Sequence, residues 1–487
     1  MLDLEMDISV AQHVAFYGVI LVIGWLLHWV YRWINPVCNG VLPPGSMGVP
    51  IIGETLDFLK ASPSLDIPDF LKLRMKRYGP VFKTSLLGQP VVISTDAEVN
   101  RFVFQHEDTL FSIGYPWVVT KIFGEKSIQA FHGSIHKFVR RCTFTLLGLQ
   151  SLREVLLPEM EGAVRERLAA WATMPSVDVR GGAPDLLFEM VTRRCIGFDS
   201  TKSRQLRDKF DALFSGLFSF PIYFLGTPFY RCMQARKNVQ KILRDTLAER
   251  LSTPGKKHGD LLDVIVQELQ GEEPLISESF AVDLVSTLLF SSVFTSSGII
   301  AVAFKSLHDN PDVVHALQKE NRAMLKDRKG GCSGLTWEEY KSLTFTNQVT
   351  NEIIRISNAV VGIFRRTLTD VQVNGYTIPA GWQVIVNPMA VHLNEELFED
   401  PLKFNPWRWL DESKRSIMLK NFLPFGAGIR ACPAAEFVKL FVTLTLHILV
   451  MEYRWEEMKG ADAFRSADVM FPQGYHIRLR TQDDKIN

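Results

Sequence analysis

Cys432 closes a glycine-rich turn, Pro424-Phe-Gly-Ala-Gly-Ile-Arg-Ala-Cys432-Pro, just before residues 436–450, which read as a helix. Gly426 and Gly428 permit a backbone path that a Cβ would obstruct. The turn delivers the thiol to a helix N-terminus, where unpaired amide N–H groups and the helix dipole favour a thiolate. Arg430, two residues earlier, adds positive charge. A thiolate held in a tight loop has the chemistry of an axial ligand to a haem iron, where it donates electron density and favours O–O cleavage. The plain alternative is a buried structural cysteine beside an ordinary turn.

Three further groups of residues could work with it. Glu352 and Arg355 lie three apart on a helical stretch and can pair, and Arg408 follows within Phe404-Asn-Pro-Trp-Arg408-Trp409. One carboxylate buried between two guanidinium groups would brace the cysteine side and be costly to break singly. His136 and Arg140, one helical turn apart, put two donors on one face that could hold a carboxylate; otherwise they belong to a solvated basic face. Residues 284–304 carry no charge but include Ser286, Thr287, Ser291, Ser292, Thr295, Ser296 and Ser297. By length this run could cross a bilayer, but its hydroxyls suit a long helix through the core of a large domain better.

Together these motifs resemble cytochrome P450. Phe425, Gly428, Arg430 and Cys432 resemble its haem-binding signature, with Ala434 where glycine is usual. Glu-x-x-Arg, then Arg408, then the cysteine loop follow the family's order. The resemblance implies haem b with its iron ligated by Cys432, Phe425 and Arg430 beside it, and Glu352, Arg355 and Arg408 as a structural ion-pair network. It implies His136 and Arg140 as propionate partners, with His136 in place of the commoner tryptophan. Arg366 resembles the strand arginine that meets a propionate, and His392 stands where relatives use a basic residue on the haem edge. The uncharged run resembles the helix crossing the haem, its oxygen-binding motif appearing as Ser291-Ser-Val-Phe294-Thr295-Ser296. Thr295 matches the catalytic threonine, whose hydroxyl relays the protons that O–O cleavage requires. Phe294 stands where an acid is usual, and phenylalanine can neither carry nor orient a proton. The expected roles are therefore pocket-shaping for Phe294 and Ser291, and proton relay by Thr295 with water.

The rest of the chain must position this chemistry. With 487 residues, 47% of them hydrophobic, and 33 Phe, it can bury a large core that encloses an apolar ligand. A net charge of +1 leaves no electrostatic footprint for nucleic acid. The six cysteines are scattered without a C-x-x-C pair, which speaks against a zinc site or secreted disulfide framework and for a reducing compartment. An acidic start precedes the uncharged stretch 14–30, followed by Tyr31, Arg32 and Trp33; this reads as a membrane anchor with a lumenal N-terminus and a cytosolic body. No basic start or Ala-x-Ala site suggests a cleaved signal peptide. The prolines from Pro43 to Pro50 end the helix in a stiff, extended hinge. The expected organisation is an anchor over 1–34, a hinge over 35–55 and one catalytic domain over 56–487. Hairpins are expected around 87–90 and at Asn374-Gly375, and a small sheet after residue 450. Phe214, Phe218, Phe220, Phe224 and Phe229 crowd a proline-broken stretch that could roof a substrate channel, touch the bilayer, or simply pack in the core.

The fold the resemblance implies is mainly α, a helical triangular prism with a small β-rich part. The activity implied is a haem-thiolate monooxygenase of the endoplasmic reticulum membrane. It would take NADPH-derived electrons from a separate membrane reductase, since no segment resembles a flavin domain or a Rossmann fingerprint. Phrases such as Pro-Pro-Gly-Ser-Met-Gly and Phe-Arg-Arg-Thr are similar to the plant branch that oxidises sterols, triterpenoids and terpenoid hormones, so the substrate expected is apolar. A reductase-independent haem-thiolate isomerase or dehydratase, and a non-catalytic haem-binding ligand carrier, are the alternatives. If the missing acid limits proton delivery, Phe294→Glu will raise the product formed per NADPH consumed. Unchanged coupling would strip the substitution of significance.

Overall fold

The computed structural model describes residues 2–124, 133–217, 219–253, 255–294, 296–326, 328, 334–358, 360, 362–465 and 469–482. The chain begins with α1 (Leu2–Ile34), whose residues 15–34 are apolar, long enough to cross a membrane, and unburied by the body. At its end Trp33 donates from Nε1 to the Gly48 carbonyl at 3.4 Å. The proline-rich stretch that follows lies along strand β1 (Val81–Leu86): the Lys83 N–H donates to Pro44 and the Glu54 N–H to Ser85, both at 2.8 Å. The Glu54 carboxylate accepts from Arg74 at 2.6 and 3.0 Å and from the Thr84 hydroxyl at 2.6 Å.

β1 turns back into β2 (Gln89–Ser94) through Leu87 and Gly88, at φ 49° and 74°. Two successive left-handed residues give the twist that a two-residue hairpin needs. The chain continues through α2 (Ala97–Gln105), capped by Asp96, into the short strand β3 (Phe111–Ile113) and then α3 (Gly133–Leu147). The uncharged run appears as α4 (Glu278–Phe294) and α5 (Ser296–Asp309), on either side of residue 295, which lies outside the described residues. Next come α6 (Thr344–Ser357), β4 (Ile363–Thr367), the Asn374-Gly375 hairpin, β5 (Gln383–Val386) and α7 (Pro388–His392). α8 (Ala435–Glu452) follows the cysteine loop and is buried without interruption from residue 440 to 450. Two tail strands, β6 (Tyr453–Lys459) and β7 (His476–Thr481), pair antiparallel, the small sheet expected after residue 450.

The main sheet runs β1-β2-β5-β4-β3. β2 and β5 pair in parallel, Val91 opposite Gln383, and every other pairing is antiparallel. Successive side chains on a strand point to opposite faces. On β4 this buries Arg365 and Thr367 and exposes Arg366.

The helical core is tied to the cysteine side through one carboxylate. Glu352, on α6, is fully buried and accepts from Arg355 at 2.8 and 2.9 Å, Arg408 at 3.0 Å, the Trp409 indole at 2.9 Å and the Asn405 N–H at 3.1 Å. Arg355 also donates to the His392 carbonyl at 2.8 Å, and Arg408 to the Glu399 carbonyl at 2.6 Å. The C-terminal end of α6 is closed from far along the chain. Buried Arg465 donates to the carbonyls of Ile356 at 2.6 Å, Ser357 at 2.9 Å and Leu65 at 2.9 Å. A guanidinium there satisfies carbonyls that a helix end leaves unpaired and suits the negative end of its dipole. Glu352→Gln strands two buried guanidinium charges, so thermal denaturation of the variant is expected to show a loss of about 3–5 kcal/mol; a loss under about 1 kcal/mol would refute this role.

Candidate functional site

The cysteine loop closes on itself. The Cys432 N–H donates to the Phe425 carbonyl at 2.9 Å and the Gly426 N–H to Leu423 at 3.1 Å. Gly426 and Gly428 both sit in the left-handed region, at φ 69° and 74°. At Gly428 a second reason excludes other residues: a Cβ would stand 2.6 Å from the Phe104 carbonyl and 3.0 Å from the Glu107 carboxylate. From 422 to 436 no residue is buried, although the elements behind the loop are, so this stretch presents an open face. Cys432 as a whole is half-buried, but protein surrounds its sulfur; that desolvation raises the thiol, while the Ala434 N–H bonded to the sulfur and the charge of Arg140 oppose the rise. The helix expected at 436–450 starts at Ala435, directly after the Ala434 N–H that meets the sulfur.

Arg140, on α3, reaches the loop directly, donating to the Ala431 carbonyl at 2.9 Å. His136 is half-buried one turn earlier on the same face. Arg430 has its side chain nearly buried, one end on Asp108 and Nη1 3.7 Å from the Glu107 carboxylate. The strand arginine is where the reading of the sequence needs correction. Arg366 is exposed and points away from the loop, whereas its neighbour Arg365 is buried and donates to Glu107 from Nε at 2.7 Å and also from Nη2. Strand parity decides this, and the side chains alone could not show which arginine of the pair turned inward.

His392 is likewise not a basic residue at the edge of the site. It is fully buried, and burial, with Arg355 and Arg465 nearby, lowers its pKa to about 3. Nε2 accepts from the Leu423 N–H at 3.0 Å, which makes Nδ1 the protonated nitrogen that donates to Asn358 at 2.7 Å. The neutral ring therefore ties the end of α6 to the start of the cysteine loop.

On α4 the residues from Phe280 to Ser286 are buried, but Thr287 and Leu288 are half-buried and Ser291 is exposed. These positions share one face, which neighbouring elements leave uncovered among the described residues. The Thr287 and Ser291 hydroxyls each donate back to the carbonyl four residues earlier, at 2.8 Å. Beside Ser291, Phe290 meets Phe123 edge-on with centroids 4.6 Å apart. Phe294 ends the helix as described, and Thr295 lies outside the described residues. Two contributors were missed in the sequence. Glu107 has no motif of its own, and Tyr115, whose ring lies 5.9 Å from Phe364, follows Gly114 at the end of β3. Burial raises the Tyr115 phenol, with Arg365 opposing the shift and Cys432 adding to it.

This donor set fits a flat macrocycle that carries a metal and carboxylates. One thiol lies on a glycine cradle that side chains would fill, with guanidinium groups from α3, β4 and the loop around it. Such a site can ligate iron through sulfur and pair with carboxylates.

A family model described as Cytochrome P450 matches residues 43–473. Cytochrome P450 87A3 of Oryza sativa subsp. japonica is 45% identical over 93% of this chain and 88% of that protein. Cucurbitadienol 11-hydroxylase of Siraitia grosvenorii and beta-amyrin 16-alpha-hydroxylase CYP87D16 of Maesa lanceolata are each 37% identical, over 95% and 96% of this chain and 98% of each relative. Among solved structures, retinoic acid bound cyanobacterial CYP120A1 aligns with a TM-score of 0.81 and 26% identity, covering 91% of this chain and 100% of that one.

The buried histidine carries a pH prediction. Folded His392 stays neutral while the unfolded chain takes up its proton near 6.5. Its contribution to stability is complete above that value and is lost as pH falls toward 3, by up to about 1.4 kcal/mol per pH unit. His447, lowered to about 4 chiefly by burial, acts in the same direction. The urea midpoint is expected to fall between pH 7.5 and 5.5, and to fall less steeply in His392→Asn; equal slopes would exclude His392 as a source.

Proposed function

The chain belongs to the cytochrome P450 family and is a cytochrome P450 monooxygenase; we propose that it hydroxylates a triterpenoid or sterol skeleton, with Cys432 as the ligand of its haem iron. The observation that carries the assignment of the ligand is the loop itself. Its backbone is pinned by the Cys432 N–H donating to the Phe425 carbonyl, its sulfur receives the Ala434 N–H, and Arg140 reaches the loop at Ala431. The substrate class is supported by the two relatives named for cucurbitadienol and beta-amyrin.

Bound haem supplies the activation of dioxygen and the oxidation of a C–H bond. The protein's part is positional. The Ala434 N–H and Arg140 favour the anionic sulfur, and the tight loop keeps it from rotating away. His136, Arg140, Arg365 and Arg430 are the proposed partners of the haem carboxylates, with Arg365 taking the place expected of Arg366. Glu352, Arg355 and Arg408 hold the loop's supporting segments. Thr287, Leu288 and Ser291 line the wall that a rigid fused-ring hydrocarbon would meet, apolar with a few hydroxyls to orient it. Thr295 would move protons by its hydroxyl, with water in place of the acid that Phe294 displaces.

The proposed setting is the endoplasmic reticulum membrane, crossed once by the segment in 1–34, with the hinge over 35–55 and the catalytic domain over 56–487 facing the cytosol. A separate NADPH-dependent membrane reductase supplies electrons. The unburied apolar helix supports the anchor, and the exposed tip carrying Ile222, Phe224 and Leu225 supports a second contact with lipid. Phe229, by contrast, is buried and belongs to the core.

Co-expression with a plant reductase in a host fed triterpenes and sterols is expected to yield a mono-oxygenated product. The reduced protein should show the thiolate band near 450 nm with carbon monoxide, and Cys432→His should lose both band and product. Folded, haem-loaded protein without that band would overturn the assignment of Cys432. A full-strength band without product from either class would overturn the substrate class.

A further inference from the structure

Glu107 sits just after α2, with its side chain 1% exposed. One carboxylate oxygen accepts two N–H groups of Arg365, and the other accepts the backbone N–H of Arg430 at 3.2 Å and lies 3.7 Å from the Arg430 guanidinium. The two arginines come from β4 and from the cysteine loop, far apart in the chain, and their side chains are 4% and 5% exposed. Gly428 has its backbone flush against this carboxylate, so the loop is seated on Glu107 as well as charged by it.

We propose that Glu107 is a positioning residue for the cofactor: one buried carboxylate gathers Arg365 and Arg430 into a preassembled cationic pair that receives the carboxylates of the haem. Glu107 is the one buried acid between the two guanidinium groups, whereas Asp108, the second acid on Arg430, is 37% exposed and screened by water; the buried part of the group is therefore net positive, which is costly unless a further anion joins it. Arg365 uses one N–H on each of its three nitrogens, two to Glu107 and one to the Phe364 carbonyl, and so keeps two of its five N–H groups. Long side chains already ordered lose little freedom when a ligand arrives, which favours retention. Asp108, in the left-handed region at φ 64°, holds the far end of Arg430 and completes the frame.

The inference rests on the assignment of the haem site to Cys432, and the test separates the two. Haem-loaded wild-type, E107Q and E107A proteins are compared by carbon monoxide difference spectrum, haem transfer to excess apomyoglobin, and midpoint potential. E107A is expected to release haem about tenfold faster or more, the loss of a charge-assisted hydrogen bond. E107Q keeps the size and removes the charge. Its midpoint potential should rise, because a negative charge near the iron disfavours the incoming electron, a signature that lost packing would not produce. Where E107A fails to fold, E107Q decides. A wild-type band near 450 nm with unchanged potential and haem-loss rate in E107Q overturns the role of Glu107 alone. Absence of the band in wild-type protein overturns the haem assignment beneath it.

Discussion

A single buried carboxylate, Glu352, sets the geometry of the cysteine side. It accepts five hydrogen bonds from four residues that lie in two parts of the chain, its own helix and the segment 405–409. An ion taken out of water at that depth is tolerable only when every lone pair is engaged, and here Arg355, Arg408, Trp409 and Asn405 engage them. The helix bearing Glu352 cannot slide against the segment bearing Arg408 without stranding a charge. Through the Arg355 bond to the His392 carbonyl the constraint extends to α7, and through the His392 ring to Leu423 at the start of the cysteine loop. The start of the cysteine loop is thus held by a buried charge three hydrogen-bonded steps away.

Those parts of the site that depend on order along the chain were legible before any coordinates. Glu352 and Arg355, then Arg408, then Cys432 form a sequence of chemical types with few other uses together. The hairpin turns were legible for a local reason, since Asn374-Gly375 needs no distant partner. What depended on facing was not legible. Arg365 and Arg366 are adjacent and chemically identical, and only the pairing of β4 with β3 and β5 decides which is buried. His392 looked like a cation because histidine can be one; burial of its ring, with guanidinium groups nearby, makes it neutral. Glu107 carries no local signal at all, because its meaning arises from contacts more than 250 residues away.

The distal side follows a different logic. α4 is uncharged along its buried length after Asp283, and its hydroxyls satisfy themselves on the helix's own carbonyls. A wall of this kind holds an apolar skeleton without competing for its polar groups. It also provides no acid of its own near the oxygen-binding stretch, where Phe294 stands. On the reading proposed for that stretch, water takes the part in proton transfer that a fixed carboxylate would, which makes the rate sensitive to how well the substrate fills the space.

The long reach of Arg465 has a temporal consequence. Its guanidinium closes the end of the helix that carries Glu352 and Arg355, yet it is synthesised after both that helix and the cysteine loop. Until it leaves the ribosome that helix end keeps unpaired carbonyls, and the cysteine loop, already made, has an incomplete frame to settle on. Capture of the cofactor therefore waits on a segment made after its own ligand loop, and loss of Arg465 would act first on maturation, long before it touched catalysis.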